Sequence, residues 1–403
     1  MFPELAKTDN LCYNKKEKYV EEKIPMKFLH ISDLHLGKRV NEFSMIEDQK
    51  FILKQILASA KERAVDGVLI AGDVYDKSVP PTEAVQLFDE FLVALAALKI
   101  PAYIISGNHD SAERISFGAR LMSGSGVYFS PVYDGQVKPI TLSDAYGEVN
   151  IYLLPFVKPA HVRRYFEGEE IASYTDAMRT AIGQMGVKEG VRNILITHQF
   201  VVGSERSESE ETSVGGTDGV DAGVFEGFDY VALGHLHRPQ NCSEKIRYCG
   251  TPLKYSFSEV KDEKSLTLVE LKEKGQVRVE LLPLTPLRGM AEIKGSYAEL
   301  TARSYYDGKT LTQDYLRITL TDEDDIPDAA AKLRIIYKGL MELRYDNART
   351  RKNAEISGVK DLEKKTPFEL FAEFFELQNN APMSEEQSAL VQEIVESIWE
   401  EEV

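Results

Sequence analysis

Cysteine is scarce in this chain. Cys12, Cys242 and Cys249 are the only three among 403 residues, an odd number with no C-x-x-C spacing. That argues against a disulfide framework or a thiolate metal site, and it fits a reducing cytoplasm. Long hydrophobic runs are also missing. The longest, Phe91 to Leu98, is less than half of the ~20 residues that a membrane-spanning helix needs. The first 25 residues hold Lys15, Lys16, Glu17, Lys18, Glu21, Glu22 and Lys23 without an apolar segment, so no secretory signal is expected. Basic excess is the third absence. The formal net charge is −17, whereas a free-standing DNA-binding domain normally shows a positive balance that releases condensed counterions. Contact with phosphates would have to come from a local site, a bound metal or a separate partner.

What is present is ordinary globular composition, 43% hydrophobic and 28% charged, long enough for two or three domains. Residues 1–25 stand outside the periodic pattern and are expected to be a disordered extension. From Met26 the chain alternates strand and helix. Lys27–Ile31 is expected as a strand. Ser44-Met45-Ile46-Glu47 has the form of a capping box before a helix bearing Phe51, Ile52 and Ile56. A strand at Gly67–Ala71 precedes a helix introduced by Pro80-Pro81, with Val85, Phe88, Phe91, Leu92 and Leu95 at helical spacing. Strands follow at Tyr103–Ile105, Val149–Pro155, Asn193–Thr197 and Tyr230–Leu233, with a helix around 174–185. Repeated strand–helix units imply parallel pairing with right-handed crossovers. Segments at Arg247–Cys249, Leu266–Leu271 and Val277–Leu282 look antiparallel. The expected organisation is a domain over 26–285 with two sheets, a small α+β unit over 286–345, a polar linker over 346–365, and a helical segment over 366–403. In the last, Thr366-Pro367-Phe368-Glu369 and Ser384-Glu385-Glu386-Gln387 mark two helix starts. Their apolar stripes are expected to dock on something outside their own pair.

Five strand ends share one chemistry: Asp33-x-His35, Gly72-Asp73, Gly107-Asn108-His109-Asp110, His198 and Gly234-His235-x-His237. Five of the seven histidines lie in them. One histidine is usually a satisfied core or surface residue, but five gathered at strand ends with Asp33, Asp73 and Asn108 point to a metal or catalytic site. Side chains at i and i+2 share a strand face, so D-x-H and H-x-H endings can aim two ligands into one crevice. Imidazole with carboxylate and amide oxygen suits Mn, Fe or Zn. Setting His109 aside, seven donors are enough for two ions with one carboxylate shared. A two-ion site of this kind lowers the pKa of water from ~15.7 to ~7 and holds phosphoryl oxygens, which directs the chemistry to in-line phosphate-ester hydrolysis.

These five segments resemble, in order and in ligand type, the signature of the calcineurin-like metallophosphoesterases over much of 26–285. The resemblance implies a four-layer α/β/β/α sandwich with the metals at one edge. It implies that Asp33, His35 and His237 hold one ion, that Asn108, His198 and His235 hold the other, and that Asp73 bridges. His109 would stabilise and protonate the leaving oxygen, and Asp76 is expected to orient His109. A second-sphere hydrogen bond is the expectation for Asp110. More narrowly, Met26–Gly37, Phe228–Gln240 and Tyr248–Pro252 are similar to the nuclease subunits of bacterial ATP-dependent exonuclease complexes, with similarity running to about residue 345. That family implies a DNA nuclease of repair and recombination, both double-strand exonuclease and single-strand or hairpin endonuclease, with two divalent ions, expected to be Mn. It also implies an ABC ATPase partner with a coiled coil gripped by residues 366–403, and a homodimer within a heterotetramer. The alternatives are a phosphodiesterase or phosphatase for a non-DNA substrate, and a metal-bearing scaffold without activity.

Overall fold

The computed structural model describes residues 24–205, 207, 218–324, 326–348, 350, 366–379 and 382–400. Residues 1–23, much of the acidic 204–213 loop and most of the expected linker lie outside this set. Contacts divide the chain into two compact units. One runs to Lys38 and from Ser44 to Pro286; the other takes in Arg39–Phe43 and everything from Leu287 onward.

The first unit holds two six-stranded sheets. One has the order Val277–Pro283, Ser265–Leu271, Met26–Ile31, Gly67–Ala71, Ala102–Ile105, Val127–Phe129; the other runs Gln240–Asn241, Ile246–Tyr248, Tyr230–Gly234, Arg192–His198, Gly147–Leu153, Ile140–Asp144. The central strands are parallel; three of the four edges are closed by antiparallel strands, and the fourth, Val127–Phe129, pairs parallel with Ala102–Ile105. Strand period explains the layers. Val68 and Ile70 face the helices Ile46–Glu62 and Thr82–Ala97 with Phe88, Phe91 and Leu95. The alternate residues, Leu69 and Ala71, turn inward to a core between the sheets with Phe28, Tyr103, Ile194, Ile196 and Tyr230. On the outer face of the second sheet, Leu195, Val231 and Leu233 meet Ala177, Met178 and Ala181 of the helix Tyr174–Gly183. The result is a helix–sheet–sheet–helix sandwich.

Several local expectations are corrected. Ile46–Glu62 starts after Met45 with no side-chain cap, and Ser44 belongs to a two-residue strand instead. The buried stripe of that helix is Gln49, Ile52, Leu53, Ile56 and Ala60, while Phe51 and, on the next helix, Val85 face outward. Ile246–Tyr248 pairs antiparallel with the two-residue strand Gln240–Asn241, as expected, but parallel with Tyr230–Gly234 on its other side. The chain reverses after His237 and again at Ser243–Lys245, and two reversals restore the original direction. Strands at Val127–Phe129 and Ile140–Asp144 were not expected.

The second unit is built on a three-stranded parallel sheet, Met290–Gly295, Tyr315–Leu320 and Gly339–Tyr345. The helix Ala329–Ile336 buries Ala329 and Leu333 against Leu316, Ile318 and Leu340. Met290–Gly295 escaped the sequence because its apolar residues Met290 and Ile293 sit three apart, without strand alternation. Phe43 packs edge-on to Tyr315, 5.9 Å between ring centres. The two capping boxes expected in the segment from residue 366 onward both form. Thr366 Oγ1 accepts from Glu369 N at 3.3 Å, and Ser384 Oγ accepts from Gln387 N at 3.2 Å. The helices Pro367–Asn379 and Glu385–Glu400 leave Phe371, Phe374, Leu390 and Ile394 exposed.

Candidate metal centre

The register of the sheets brings the five motifs together. Ile31 lies opposite Ile70 and Ala71 opposite Ile105, so the loops bearing Asp33, Asp73 and Asn108 leave the first sheet side by side. In the second sheet Gly234 lies opposite His198, which places His198 and His235 next to each other. Main-chain bonds then zip two loops together, from Asp33 N to Gly72 O at 3.0 Å and from His35 N to Asp73 O at 2.9 Å.

The backbone here is strained. Asp33, His35, Asp73 and His235 all have positive φ, at 52°, 43°, 48° and 104°. Such conformations cost ~1–3 kcal/mol each for residues with side chains, and they persist where the surroundings over-determine them. Two glycines permit the close approach. A Cβ on Gly107 would lie 2.1 Å from Asp73 Oδ1, and one on Gly234 would lie 1.9 Å from Ala71 O.

Donor atoms converge at the centre. One group is Asp33, His35 and His237; another is Asp33, Asp73 and His198, and each group's atoms lie within 4.8 Å of one another. His35 Nε2 and His237 Nε2 face each other at 3.1 Å. Asn108 Oδ1 sits 3.0 Å from His198 Nε2 and 3.1 Å from His235 Nδ1. Asp73 Oδ2 stands between the groups, 3.3 Å from His198 Nε2 and 3.8 Å from His35 Nε2. His198 Nδ1 donates to Ala71 O at 2.8 Å, which commits that nitrogen and turns Nε2 to the cluster. Asp33, His35, Asp73, His198 and His237 are all buried.

Burial and mutual charge perturb these groups strongly. Burial pushes the Asp33 carboxyl up to about 6, against the pull of His198. Burial would also raise Asp73, but the charge and hydrogen bond of His198 and the charge of His35 hold it well below the usual carboxylate range. His198 moves the opposite way, to about 9, because Asp73 outweighs the burial that would lower it. Burial keeps the His35 imidazole far below its ordinary value. Ring nitrogens turned on one another and on an amide oxygen, around two carboxylates and with no thiolate, fit two hard or borderline divalent cations.

His109 stands at the rim, with its side chain 20% exposed. Its main-chain N–H donates to Asp73 Oδ1 at 2.9 Å, and its Nδ1 donates to Asp76 at 3.0 Å. The acceptor is the main-chain carbonyl of Asp76, where a carboxylate oxygen was the expectation, although the Asp76 carboxylate also lies near His109 and His35. That carboxylate pairs with Lys38 Nζ at 2.7 Å and approaches His35 Nδ1 at 3.7 Å. Asp110 accepts from Val74 N, Tyr75 N and Gly107 N at 3.1, 2.9 and 3.0 Å, fastening the Asp73 loop to the Asn108 loop. Sequence reasoning missed Lys38 and Gln49. Gln49 Nε2 donates to His35 O at 2.8 Å, and its Oε1 accepts from Gly37 N at 3.0 Å. Its signal was a polar residue on the buried stripe of a helix.

A strand-end cluster of this kind, on a two-sheet sandwich, defines a phosphoesterase of the calcineurin-like class. The family model described as calcineurin-like phosphoesterase matches residues 26–239, and one described as type 5 capsule protein repressor C-terminal domain matches 286–379. The chain is 34% identical over 345 residues to the SbcD component of nuclease SbcCD from Staphylococcus epidermidis, covering 83% of this chain and 90% of that one. It is 33% identical over 323 residues to its counterpart from Staphylococcus saprophyticus, covering 79% and 84%. A dimetal phosphatase from Danio rerio aligns over 64% of this chain and 99% of its own, at 11% identity and a TM-score of 0.38. The chain belongs to the SbcD family, within the calcineurin-like phosphoesterases. Among the described residues no helix is long and apolar enough to cross a membrane.

Proposed function

We propose that this chain is the nuclease component of an SbcCD-type complex, a Mn-dependent phosphodiesterase that cuts DNA as a double-strand exonuclease and a single-strand or hairpin endonuclease. In this reading Asp33, His35 and His237 hold one ion, Asn108, His198 and His235 hold the second, and Asp73 is shared. The observation that supports it best is the meeting of the other six side chains around Asp73, with His109 at the open rim. When bound, the ions would hold the phosphoryl oxygens and make water acidic enough to attack at neutral pH.

The chain's own groups supply the rest. His109 is fixed at two points, its main-chain N–H on Asp73 and its Nδ1 on the Asp76 carbonyl, which leaves Nε2 to protonate the departing oxygen. Asp110 keeps that loop in register with the Asp73 loop. The acidic surface disfavours tight DNA binding by the isolated chain, so affinity for DNA would come from an SbcC-type ABC ATPase. The exposed apolar residues of the helices over 366–403 would dock the base of that partner's coiled coil. A homodimer within a heterotetramer would complete the assembly, in the cytoplasm, serving DNA repair and recombination.

The test is digestion of double-stranded, hairpin and single-stranded DNA with Mn, with and without the ATPase. Cleavage that depends on Mn, with much tighter DNA binding in the complex, is the expected result. Hydrolysis of a phosphomonoester with no cleavage of any DNA would refute the nuclease reading.

A further inference from the structure

A buried charged pair lies behind the cluster and takes no part in the chemistry above. Glu259 is fully buried and the Lys264 side chain is 5% exposed. Burying a carboxylate and an ammonium is costly unless both are fully paired, and here every proton of the ammonium is used. Lys264 Nζ donates to Glu259 Oε2 at 2.6 Å, to Thr251 Oγ1 at 2.9 Å and to the main-chain oxygen of His237 at 2.9 Å. The same His237 oxygen accepts from Thr251 N at 3.1 Å. Glu259 Oε1 accepts from Tyr255 N at 3.3 Å and lies 3.7 Å from His237 Nδ1.

The network therefore touches His237 at both ends. Lys264 and Thr251 hold its main chain, and Glu259 faces the ring nitrogen that points away from the cluster. The opposite nitrogen, Nε2, is the one turned on His35. A carboxylate behind a metal-binding imidazole fixes its tautomer and ring angle and raises its basicity as a ligand.

We propose that Glu259 and Lys264 are positioning residues for one of the two metal ions: together they lock His237 with its proton on Nδ1 and its Nε2 lone pair toward the site shared with Asp33 and His35. The Asp76 carboxylate approaches His35 Nδ1 in a related way, but its partner Lys38 is more exposed, and His35 serves the same ion. His198, on the other ion, is fixed through Ala71 O instead. The device thus acts on one ion of the pair. This rests on the two-metal reading given above.

The experiment is Mn titration calorimetry on the full chain, with circular dichroism and a urea midpoint to establish folding. The wild type should bind two Mn ions per chain. The double variant Glu259→Leu/Lys264→Met removes both charges with similar volume, which buried pairs commonly tolerate. It should fold, bind one ion as the wild type does, and bind the other ~10–100-fold more weakly. Glu259→Gln keeps a neutral acceptor for Nδ1 and should show a smaller loss at the same ion; if it does not fold, the double variant decides alone. A folded double variant with both affinities unchanged, or with both weakened alike, would overturn the proposal. A wild-type chain that binds fewer than two ions would overturn the two-metal reading and this inference with it.

Discussion

The sandwich has a buried polar cluster at each end of the second sheet, and the two are built on opposite terms. At the amino ends of the strands, Arg192 donates to Asp144, Gly147 O and Lys272 O. Beside it Asn193 donates through its amide to Lys188 O and Val191 O, and Asp229 accepts from Asn193 N, Lys274 Nζ and Gly275 N. Donors meet acceptors there, and none of Arg192, Asn193, Asp229 and Asp144 has a positive φ. At the carboxyl ends, ring nitrogens face ring nitrogens, two carboxylates stand among them, and four residues are strained. Burial of polar groups is common to both clusters and therefore marks neither as a site. What separates them is complementarity: at one end donors meet acceptors, and at the other ring nitrogens and carboxylates crowd on one another.

Substitutions should separate the two ends in sign as well as in size. The largest effect is expected from His109→Ala, which should lower kcat on Mn-loaded DNA digestion by ~10²–10⁴-fold. Metal content and urea midpoint should stay as in the wild type, because among the described residues the His109 side chain hydrogen-bonds only to the Asp76 carbonyl. Loss of a metal ion in that variant would place His109 among the ligands. At the other end, Arg192→Met should cost ~1–3 kcal/mol of stability, since it takes the guanidinium from Gly147 O and Lys272 O and leaves the half-buried Asp144 held only by main-chain donors such as Tyr146 N. Chemical denaturation reads this, and metal binding should not change.

The same variant has a pH signature. Burial tends to raise the Asp144 carboxyl, but the hydrogen bond and charge of Arg192 hold it below its ordinary value. A depressed carboxylate gives stability that is fully present above its unfolded pKa of ~3.9 and is lost as pH falls through the folded value. Wild type should therefore lose stability more steeply than Arg192→Met on acidification below about pH 4. Equal slopes would mean that the pair contributes nothing. The smallest effect is expected from Asp76→Asn. The carbonyl that holds His109 survives, so the loss should be ~10-fold, through the Lys38 and His35 contacts, and well short of His109→Ala. A loss as large as that of His109→Ala would restore the carboxylate as the orienting group.

Much of this site was legible in the chain. Asp33, His35, Asp73, Asn108, His198, His235 and His237 announce themselves by residue type at the ends of apolar runs, and the glycines before Asp73, Asn108 and His235 mark where the backbone must turn tightly. The strands at 67–71 and 230–234 are apolar on both faces, which is how a sheet covered on both sides reads. What stayed hidden depends on contacts between distant segments. Asp76 looked like a side-chain partner, yet its carbonyl makes the bond, and residue type says nothing about which backbone atom a loop presents. Glu259 and Lys264 sit in Ser258-Glu259-Val260-Lys261-Asp262-Glu263-Lys264, which reads as a solvated charged turn. Only the fold over Thr251 and His237 buries two of its charges. Short edge strands such as 127–129 and 140–144 have too few residues for a period to show.

Electron paramagnetic resonance of the Mn-titrated chain addresses the two-ion centre most directly, because it senses whether neighbouring ions share a ligand. Two Mn ions per chain with an exchange-coupled spectrum are expected in the wild type, and loss of that coupling in Asp73→Asn. Saturation at a single ion, or two ions whose spectra remain uncoupled in the wild type, would contradict a centre organised around a shared Asp73.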